Sequence, residues 1–176
     1  NSTLKQQNPS HTCGVLFCMR ALFIYNKNMK FTILTLFPEI FNSYLGESIL
    51  KRARENKKIS VETVDIRKFT ADNHRTADDK PYGGGAGMVL MAEPILKAYE
   101  SVKWKVKSGK RKVVIFSAKG KPFTQKMAYK WARTTDHLTL ITGRYEGIDE
   151  RVVKALKAEE ISIGSYVLTD GDVAAM

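Results

Sequence analysis

Short apolar runs alternate along the chain with segments whose apolar residues recur at helical spacing. Residues 30–36 form a compact apolar run typical of a buried strand, and Pro38 then opens an amphipathic segment. Residues 59–66 are rich in β-branched side chains and predict a second strand. One helix is therefore expected between these two strands, with an apolar face made of Phe41, Tyr44, Leu45, Ile49 and Leu50.

The same alternation continues through the second half of the chain. Residues 93–104 predict a helix, and its apolar side chains Ile95, Leu96, Tyr99 and Val102 are in register. Strand, helix and strand signals follow at residues 112–117, 124–133 (capped by Thr124) and 137–142, then a helix at 149–156 and an extended segment at 161–168. This order predicts an α/β fold, a mostly parallel sheet with helices on both faces.

Residues 1–28 differ from the rest of the chain, because they contain no acidic residue and combine a polar start with an apolar run at residues 15–25. No small-x-small cleavage site follows that run, and Arg20 interrupts it, so neither a signal peptide nor a membrane span is predicted. Met29 stands directly before the first predicted strand. We therefore expect residues 1–28 to be a lead-in upstream of the true start, and residues 29–176 to form the domain.

The cysteines indicate a reduced compartment, because Cys13 and Cys18 both lie in the lead-in and no disulfide can involve the domain. Their spacing is not that of a zinc site, and the three histidines are too scattered to complete one. We assign no metal ligand in the chain and expect a cytoplasmic protein.

Charge is distributed unevenly over the 176 residues, which carry 29 Lys and Arg against 18 Asp and Glu, a net charge of +11. Residues 97–133 contain twelve basic residues and a single acid, so this segment holds the whole excess. A surface that binds a polyanion such as RNA would need this concentration of charge. A solvated basic face explains it equally well, and charge alone leaves both readings open.

Three loops carry the candidate chemistry, and the first is the glycine-rich segment at residues 78–88. No Gly-Lys-Ser/Thr follows it, and no frame gives the Gly-x-Gly-x-x-Gly spacing, so it is neither a phosphate-binding loop nor a dinucleotide-binding loop. Taken alone it is most simply a flexible loop. A nucleotide-phosphate enzyme is accordingly a weak alternative.

The second loop follows the predicted strand at residues 137–142, and the third is residues 163–172, an apolar extended run with a turn after it. In the second, Gly143 and Gly147 bracket Arg144, Tyr145 and Glu146, which is a dense set of functional groups for a turn. Asp149 and Glu150 behind them are assigned to helix capping, whereas a surface ion pair is the alternative for Arg144. In the last segment, Gly164 inside an apolar run indicates close approach of a ligand or of another backbone.

Together these loops resemble one family, the bacterial tRNA (guanine-N1)-methyltransferases of the trefoil-knotted SPOUT class, or TrmD family. The resemblance runs in order from Met29 to Met176. It includes Leu-Phe-Pro-Glu at residues 36–39, Asp-Asn-His-Arg-Thr-Ala-Asp-Asp-Lys-Pro-Tyr at residues 72–82, and the blocks at 143–151 and 161–168. Two of these blocks are long and rare, which makes the match specific.

The resemblance implies a homodimer that methylates N1 of the tRNA guanine immediately 3′ of the anticodon, using S-adenosylmethionine, with magnesium aiding catalysis. The glycine-rich loop would help form the dimer and the guanine site. Glu146 and Arg144 are the candidate catalytic residues within the chain. By position, the resemblance assigns cofactor binding to Ser117, Ala118, Gly143, Tyr145, Ile163, Gly164, Ser165, Tyr166, Val167, Leu168 and Gly171.

Three departures from the family pattern affect these expectations. Ser165 stands where the family commonly has Asp, Asp170 where it has Gly, and Asp172, which we predict to be a helix N-cap, where it has Glu. The sequence also stops before the family's catalytic Asp, its partner Arg and the C-terminal tRNA-binding domain. We therefore expect a truncated domain that binds the cofactor weakly and does not transfer methyl groups. The alternative is a non-catalytic basic RNA-binding module.

Overall fold

A computed structural model describes residues 28–81, 83–85, 87–103 and 109–176. The predicted lead-in up to residue 27, with Cys13 and Cys18, lies outside the described residues, as do Lys105 and Lys107 of the basic segment. The strands are β1 (Met29–Thr35), β2 (Ile59–Asp65), β3 (Asp78–Asp79), β4 (Val89–Leu90), β5 (Arg111–Pro122), β6 (His137–Ile141) and β7 (Glu159–Ser162). The helices are α1 (Ile40–Leu45), α2 (Ser48–Glu55), α3 (Ala92–Lys103), α4 (Gln125–Thr134), α5 (Glu150–Leu156) and α6 (Asp172–Ala175), with a 3-10 turn at Ile66–Phe69.

Five strands form one parallel sheet in the order β2-β1-β6-β5-β7, and β3 pairs with β4 in a separate antiparallel ribbon. The predicted α/β class and parallel sheet are confirmed. Parallel strands need a crossover connection, and α2, α3, α4 and α5 supply these crossovers. All five carboxyl ends therefore lie at one edge of the sheet, where the connecting loops meet.

The helices cover both faces of the sheet, because successive strand residues point to opposite sides. Ile33, Val114 and Leu140 pack in one core with α1, α2 and α4, whereas Leu34 and Ile141 pack in a second core with α3 and α5. This two-sided burial explains why the strands read as continuous apolar runs.

The first predicted helix is wrong in one respect, because two helices replace it. Gly46 ends α1 by donating its backbone N–H to the carbonyl of Asn42, and Glu47 is extended before α2 begins. Leu45, Ile49 and Leu50 nevertheless pack against the same core as Phe41. Phe41 is fully buried, as expected, but Tyr44 is 40% exposed.

Strand β5 is longer than predicted and contains a bulge. Phe116 and Lys121 both pair with Ile161 of β7, so residues 117–120 are extra residues looped out of the ladder. An ideal Cβ on Gly120 would lie 2.6 Å from the backbone nitrogen of Ile161. The bulge therefore needs a residue without a side chain at position 120.

The last predicted extended segment is wrong beyond Ser162, where β7 ends. Residues 163–171 form an irregular loop, so Gly164 is not a strand glycine. The ring of Tyr166 folds back into the space that a Cβ on Gly164 would occupy. Within this loop, the apolar side chain of Val167 is 84% exposed.

Buried His137 makes the stability of the fold depend on pH. Its Nε2 lies 2.8 Å from Oγ1 of Thr32, and burial, with the positive charges of Arg111 and Lys30, lowers the pKa of His137 below its ordinary value. The unfolded chain then binds the proton more readily than the folded chain does. The stabilising contribution of neutral His137 is therefore fully present above the unfolded pKa of about 6.5 and is progressively lost as the pH falls below it.

We expect urea unfolding to show a lower free energy of unfolding at about pH 5.5 than at about pH 7.5. His137→Gln should reduce this difference, because the glutamine does not titrate. The control is His74→Gln, since His74 is exposed. An equal loss of pH dependence in both variants would contradict the assignment to His137.

Candidate functional site

A cavity of about 480 Å³ opens at the carboxyl edge of the sheet, beside β5, β6 and β7. The bulge of β5 forms one wall through Ser117 and Ala118, and the loop at residues 143–148 after β6 forms a second. The loop at residues 163–171 after β7 forms a third. This is the edge at which ligands bind in parallel α/β sheets.

The cavity collects nearly all of the predicted site residues. Gly164 and Ser165 are the exceptions, since neither lines the cavity. The predicted residues that do line it are Ser117, Ala118, Gly143, Arg144, Tyr145, Glu146, Ile163, Tyr166, Val167, Leu168 and Gly171.

Two glycines bring two walls of the cavity into backbone contact. The N–H of Gly171 donates to the carbonyl of Gly143 at 2.8 Å. A Cβ on Gly171 would lie 2.9 Å from the nitrogen of Gly143 and 3.1 Å from Cα of Thr142, so only glycine fits. A Cβ on Gly143 would instead meet the side chain of Ile148 at 3.4 Å, which is tolerable contact.

Arg144 connects the same two walls through its side chain. Its guanidinium is 3.0 Å from Oδ2 of Asp170 and 3.8 Å from Oδ2 of Asp172, and it lies 4.3 Å from the centre of the Phe37 ring. The ion-pair interpretation of Arg144 is thus correct, and Arg144 lines the cavity as well. Its Nε is buried without a hydrogen-bond partner, so only some of the N–H donors of the guanidinium are hydrogen-bonded.

Asp172 is not the N-cap of α6, contrary to the prediction. Gly171 occupies that position, and the carboxylate of Asp172 turns inward, where it is 1% exposed and accepts a 2.7 Å hydrogen bond from the hydroxyl of Thr35. Asp170 serves the capping role instead, since its Oδ1 accepts from the N–H groups of Asp172 at 2.9 Å and of Val173 at 3.4 Å. A buried carboxylate needs such partners, and Thr35 and Arg144 provide them.

The glycine-rich loop lies against the loop that follows β6. The N–H of Glu146 donates to the carbonyl of Met88 at 3.0 Å, and the N–H of Leu90 donates to that of Gly147 at 3.0 Å. The side chain of Glu146 fills the space beside Gly87, whose φ is +92°. Tyr145 also has a positive φ, +58°, which is uncommon for a residue with a side chain and often accompanies function.

Charged groups pair at the rim of the cavity. Lys119 lies 3.1 Å from Glu150 and 3.4 Å from Glu160, and these interactions, the hydrogen bond to Glu150 first, raise the pKa of Lys119. Asp149 caps α5, as predicted, by accepting from the N–H of Arg151. The hydrogen bond to the Arg151 side chain lowers the pKa of Asp149.

No group of three or more His, Cys, Asp or Glu side chains able to hold a metal ion occurs within the part of the chain that the structure describes. In that same part, no helix has the length and apolar character that crossing a membrane requires.

The residues at the site to which the sequence patterns assigned no role include two near the end of β1 and one in the loop after β6. Thr35 and Phe37 lie near the end of β1, and Ile148 closes the cavity beside Gly143. The signal for Thr35 and Phe37 was available in the sequence: a polar residue ends a buried strand, and an aromatic residue stands two positions later. Ile148 gave none, because apolar residues normally indicate the core.

Comparison with known protein families identifies the chain. A family model described as "tRNA (Guanine-1)-methyltransferase TrmD" matches residues 29–176. The chain belongs to this family. The all-parallel five-stranded sheet with helices on both faces agrees with the SPOUT fold of the TrmD family.

Individual TrmD relatives, each named tRNA (guanine-N(1)-)-methyltransferase, align over 148 residues, or 84% of this chain. The protein of Ruminiclostridium cellulolyticum is 48% identical over 63% of its length, and that of Carboxydothermus hydrogenoformans is 51% identical over 56%. The protein of Listeria monocytogenes is 46% identical over 60% of its length. The chain spans about three fifths of the length of these TrmD relatives.

Proposed function

We propose that this chain carries the cofactor-binding part of a methyltransferase that uses S-adenosylmethionine to methylate N1 of the tRNA guanine 3′ of the anticodon. The observation that supports this most is the set of exposed apolar side chains around the cavity. Tyr145 is 50% exposed, Tyr166 57% and Ile163 39%. Apolar groups gathered at one concave site indicate a ligand that covers them.

The lining fits the chemistry of S-adenosylmethionine. Apolar side chains of Ile163, Tyr166 and Leu168 can pack against the adenosine, while the backbone groups of the glycine-containing loops are available for its polar atoms. Where the chain passes Gly143 and Gly171, no side chain intrudes between the walls. When bound, S-adenosylmethionine supplies a methyl group on a sulfonium.

Arg144 and Glu146 are the chain's candidates for the chemistry at the guanine. The cavity is lined by the carboxylates of Glu146, Glu160 and Asp170. Glu160 pairs with Lys119 and Asp170 with Arg144, whereas Glu146 has no ion pair among the described residues. Glu146 is therefore the cavity carboxylate that we assign to hold the N1 proton, and Asp170 fixes the position of the Arg144 guanidinium.

Among the described residues, no group of three or more His, Cys, Asp or Glu side chains could hold a magnesium ion, and the proposed roles belong to the chain's own side chains. Magnesium is often held by one or two carboxylates together with substrate oxygens, and such a site would need the RNA. Its participation remains part of the proposal.

The resemblance further implies a cytoplasmic homodimer that acts on tRNA, and a trefoil knot. The return of the 163–171 loop past β6 supports the knot, because Gly171 bonds to Gly143 and Arg144 bridges to Asp170. The anchoring of the glycine-rich loop beside Glu146 supports its proposed role near the guanine. We therefore propose the dimer, the knot and the tRNA substrate together.

Calorimetric titration of S-adenosylmethionine into the chain and its Gly143 variants tests the cofactor site. Gly143→Ala should bind nearly normally, because a Cβ meets Ile148 at 3.4 Å. Gly143→Val adds two methyl groups that have to enter the cavity or displace Ile148, so we expect at least about tenfold weaker binding, or about 1.4 kcal/mol.

Ala71→Val is the matched control, because Ala71 is exposed and does not line the cavity. Unchanged affinity in Gly143→Val would place the site elsewhere. If S-adenosylmethionine gave no heat with any form while tRNA still bound, the non-catalytic RNA-binding module would be the better description.

A further inference from the structure

The fold divides the basic segment at residues 97–133 between different surfaces. Part of the segment lies on α3, on one face of the sheet, and part on α4, on the other. Several of its cations are neutralised by nearby acids, which the charge pattern could not reveal. These ion pairs are Lys97–Glu93 at 2.7 Å, Lys103–Glu100 at 2.9 Å, Lys112–Glu159 at 2.5 Å and Lys119–Glu150 at 3.1 Å.

Helix α4 presents a different arrangement, with its cations along one line. At about 100° per residue, Lys126, Lys130 and Arg133 fall within an arc of about 60°. All three are exposed. The opposite side of the helix is buried in the core through Ala128, Trp131 and Ala132. We call Lys126, Lys130 and Arg133 the α4 basic stripe.

Helix α4 contains no acidic residue, so no side chain of the helix itself neutralises the stripe. Within the described ranges, Lys126 and Lys130 form no ion pair. Tyr129 lies next to the stripe and, with Gln125 and Thr134, completes a shallow groove along it. Aligned cations beside an aromatic ring are the groups that proteins use to hold a nucleic acid backbone and stack a base.

We propose that the α4 basic stripe binds the sugar-phosphate backbone of an RNA. The identification of this RNA as tRNA rests on the proposed function. The location of the stripe supports the binding of RNA. Helix α4 follows β5, so it begins at the edge of the sheet where the cavity opens and runs toward the opposite edge. An RNA that presents a base at the cavity can therefore continue along the stripe.

An anionic membrane is a poorer occupant for the same cations. A helix that lies on a membrane inserts its apolar face among the lipids. The apolar side chains of α4, with Trp131 7% exposed, are already packed in the core. The stripe thus offers charge without an apolar face to insert.

The test compares two variants that each remove two positive charges. Lys126→Gln/Lys130→Gln alters the stripe, whereas Lys97→Gln/Lys103→Gln removes ion-paired lysines of α3 on the other face. An unmodified tRNA transcript is titrated by fluorescence anisotropy from about 50 to about 300 mM KCl. Binding weakens as salt rises, and loss of two phosphate contacts should make the plot of log K against log salt shallower by about 1.5. Binding at low salt should also be about tenfold weaker. Both effects are expected only in the stripe variant.

Equal losses in both variants, or an unchanged slope in the stripe variant, would overturn the proposal. The proposal would also be overturned if the stripe variant lost binding to phosphatidylserine vesicles while the salt dependence of its tRNA binding stayed unchanged. Circular dichroism establishes that both variants fold. Titration with S-adenosylmethionine separates the two proposals: a stripe-dependent RNA slope without cofactor binding refutes the proposed methyltransferase and leaves the RNA surface standing.

Discussion

Gly120→Ala should destabilise the protein by about 3 kcal/mol, because the new Cβ would overlap backbone rather than a movable side chain. That Cβ would lie 2.6 Å from the nitrogen of Ile161 and 2.7 Å from the carbonyl carbon of Glu160. Strand β7 has to move away from the bulge of β5 to make room. Thermal unfolding should show a decrease of about 6–12 °C in the midpoint for a domain of this size.

Gly83→Ala is the matched control for this experiment, since its Cβ would meet nothing within 4 Å among the described residues and its φ is not positive. It should leave the midpoint within about 1–2 °C of the wild type, the usual result for a surface substitution. A midpoint for Gly120→Ala equal to that of Gly83→Ala would mean that β5 and β7 are not in the described contact.

Arg144→Met should cost about 2–3 kcal/mol of stability, measured by urea unfolding. The substitution keeps an apolar stem against Phe37 but leaves Asp172, which is 1% exposed, without its cation. Breaking a buried ion pair typically costs about 3–5 kcal/mol, and the 34% exposure of Arg144 reduces that figure.

A second substitution distinguishes lost charge pairing from lost packing. Asp172→Asn in the Arg144→Met background removes the unpaired charge and keeps an oxygen that can accept from Thr35, so it should restore part of the stability. Lys97→Met is the control, because it breaks an exposed pair worth about 0.5 kcal/mol or less. A double variant no more stable than Arg144→Met would show that the buried charge is not the cause.

The sequence was a good guide where structure depends on neighbours along the chain. The apolar runs of β1 and β6, the helical spacing in α3 and the Thr124 cap of α4 are local patterns, and they are confirmed. It failed where a distant residue decides. Gly120 depends on the backbone of Ile161, and Asp172 turns inward because Thr35, 137 residues earlier, donates to it.

The candidate site shows the same division. The glycine-bracketed turn at residues 143–147 was found because functional groups in a turn at a strand end are visible in sequence. Its pairing with Asp170 was not, because an Arg in a turn gives no sign of which carboxylate it will meet. The apolar sequence at Val167, which is 84% exposed, indicates a need for cover without saying whether the core or a ligand supplies it.

The hydrogen bonds between the glycine-rich loop and the turn that holds Glu146 mean that these segments cannot respond to ligands independently. Glu146 bonds to Met88 and occupies the space beside Gly87, so a ligand that repositions residues 83–88 also displaces one wall of the cavity. Thermodynamic linkage then makes the effect mutual: whatever factor a ligand at the loop applies to affinity at the cavity, a ligand in the cavity applies to affinity at the loop. A few backbone hydrogen bonds at the edge of the cavity would thus couple the affinities of two ligands that need not touch each other.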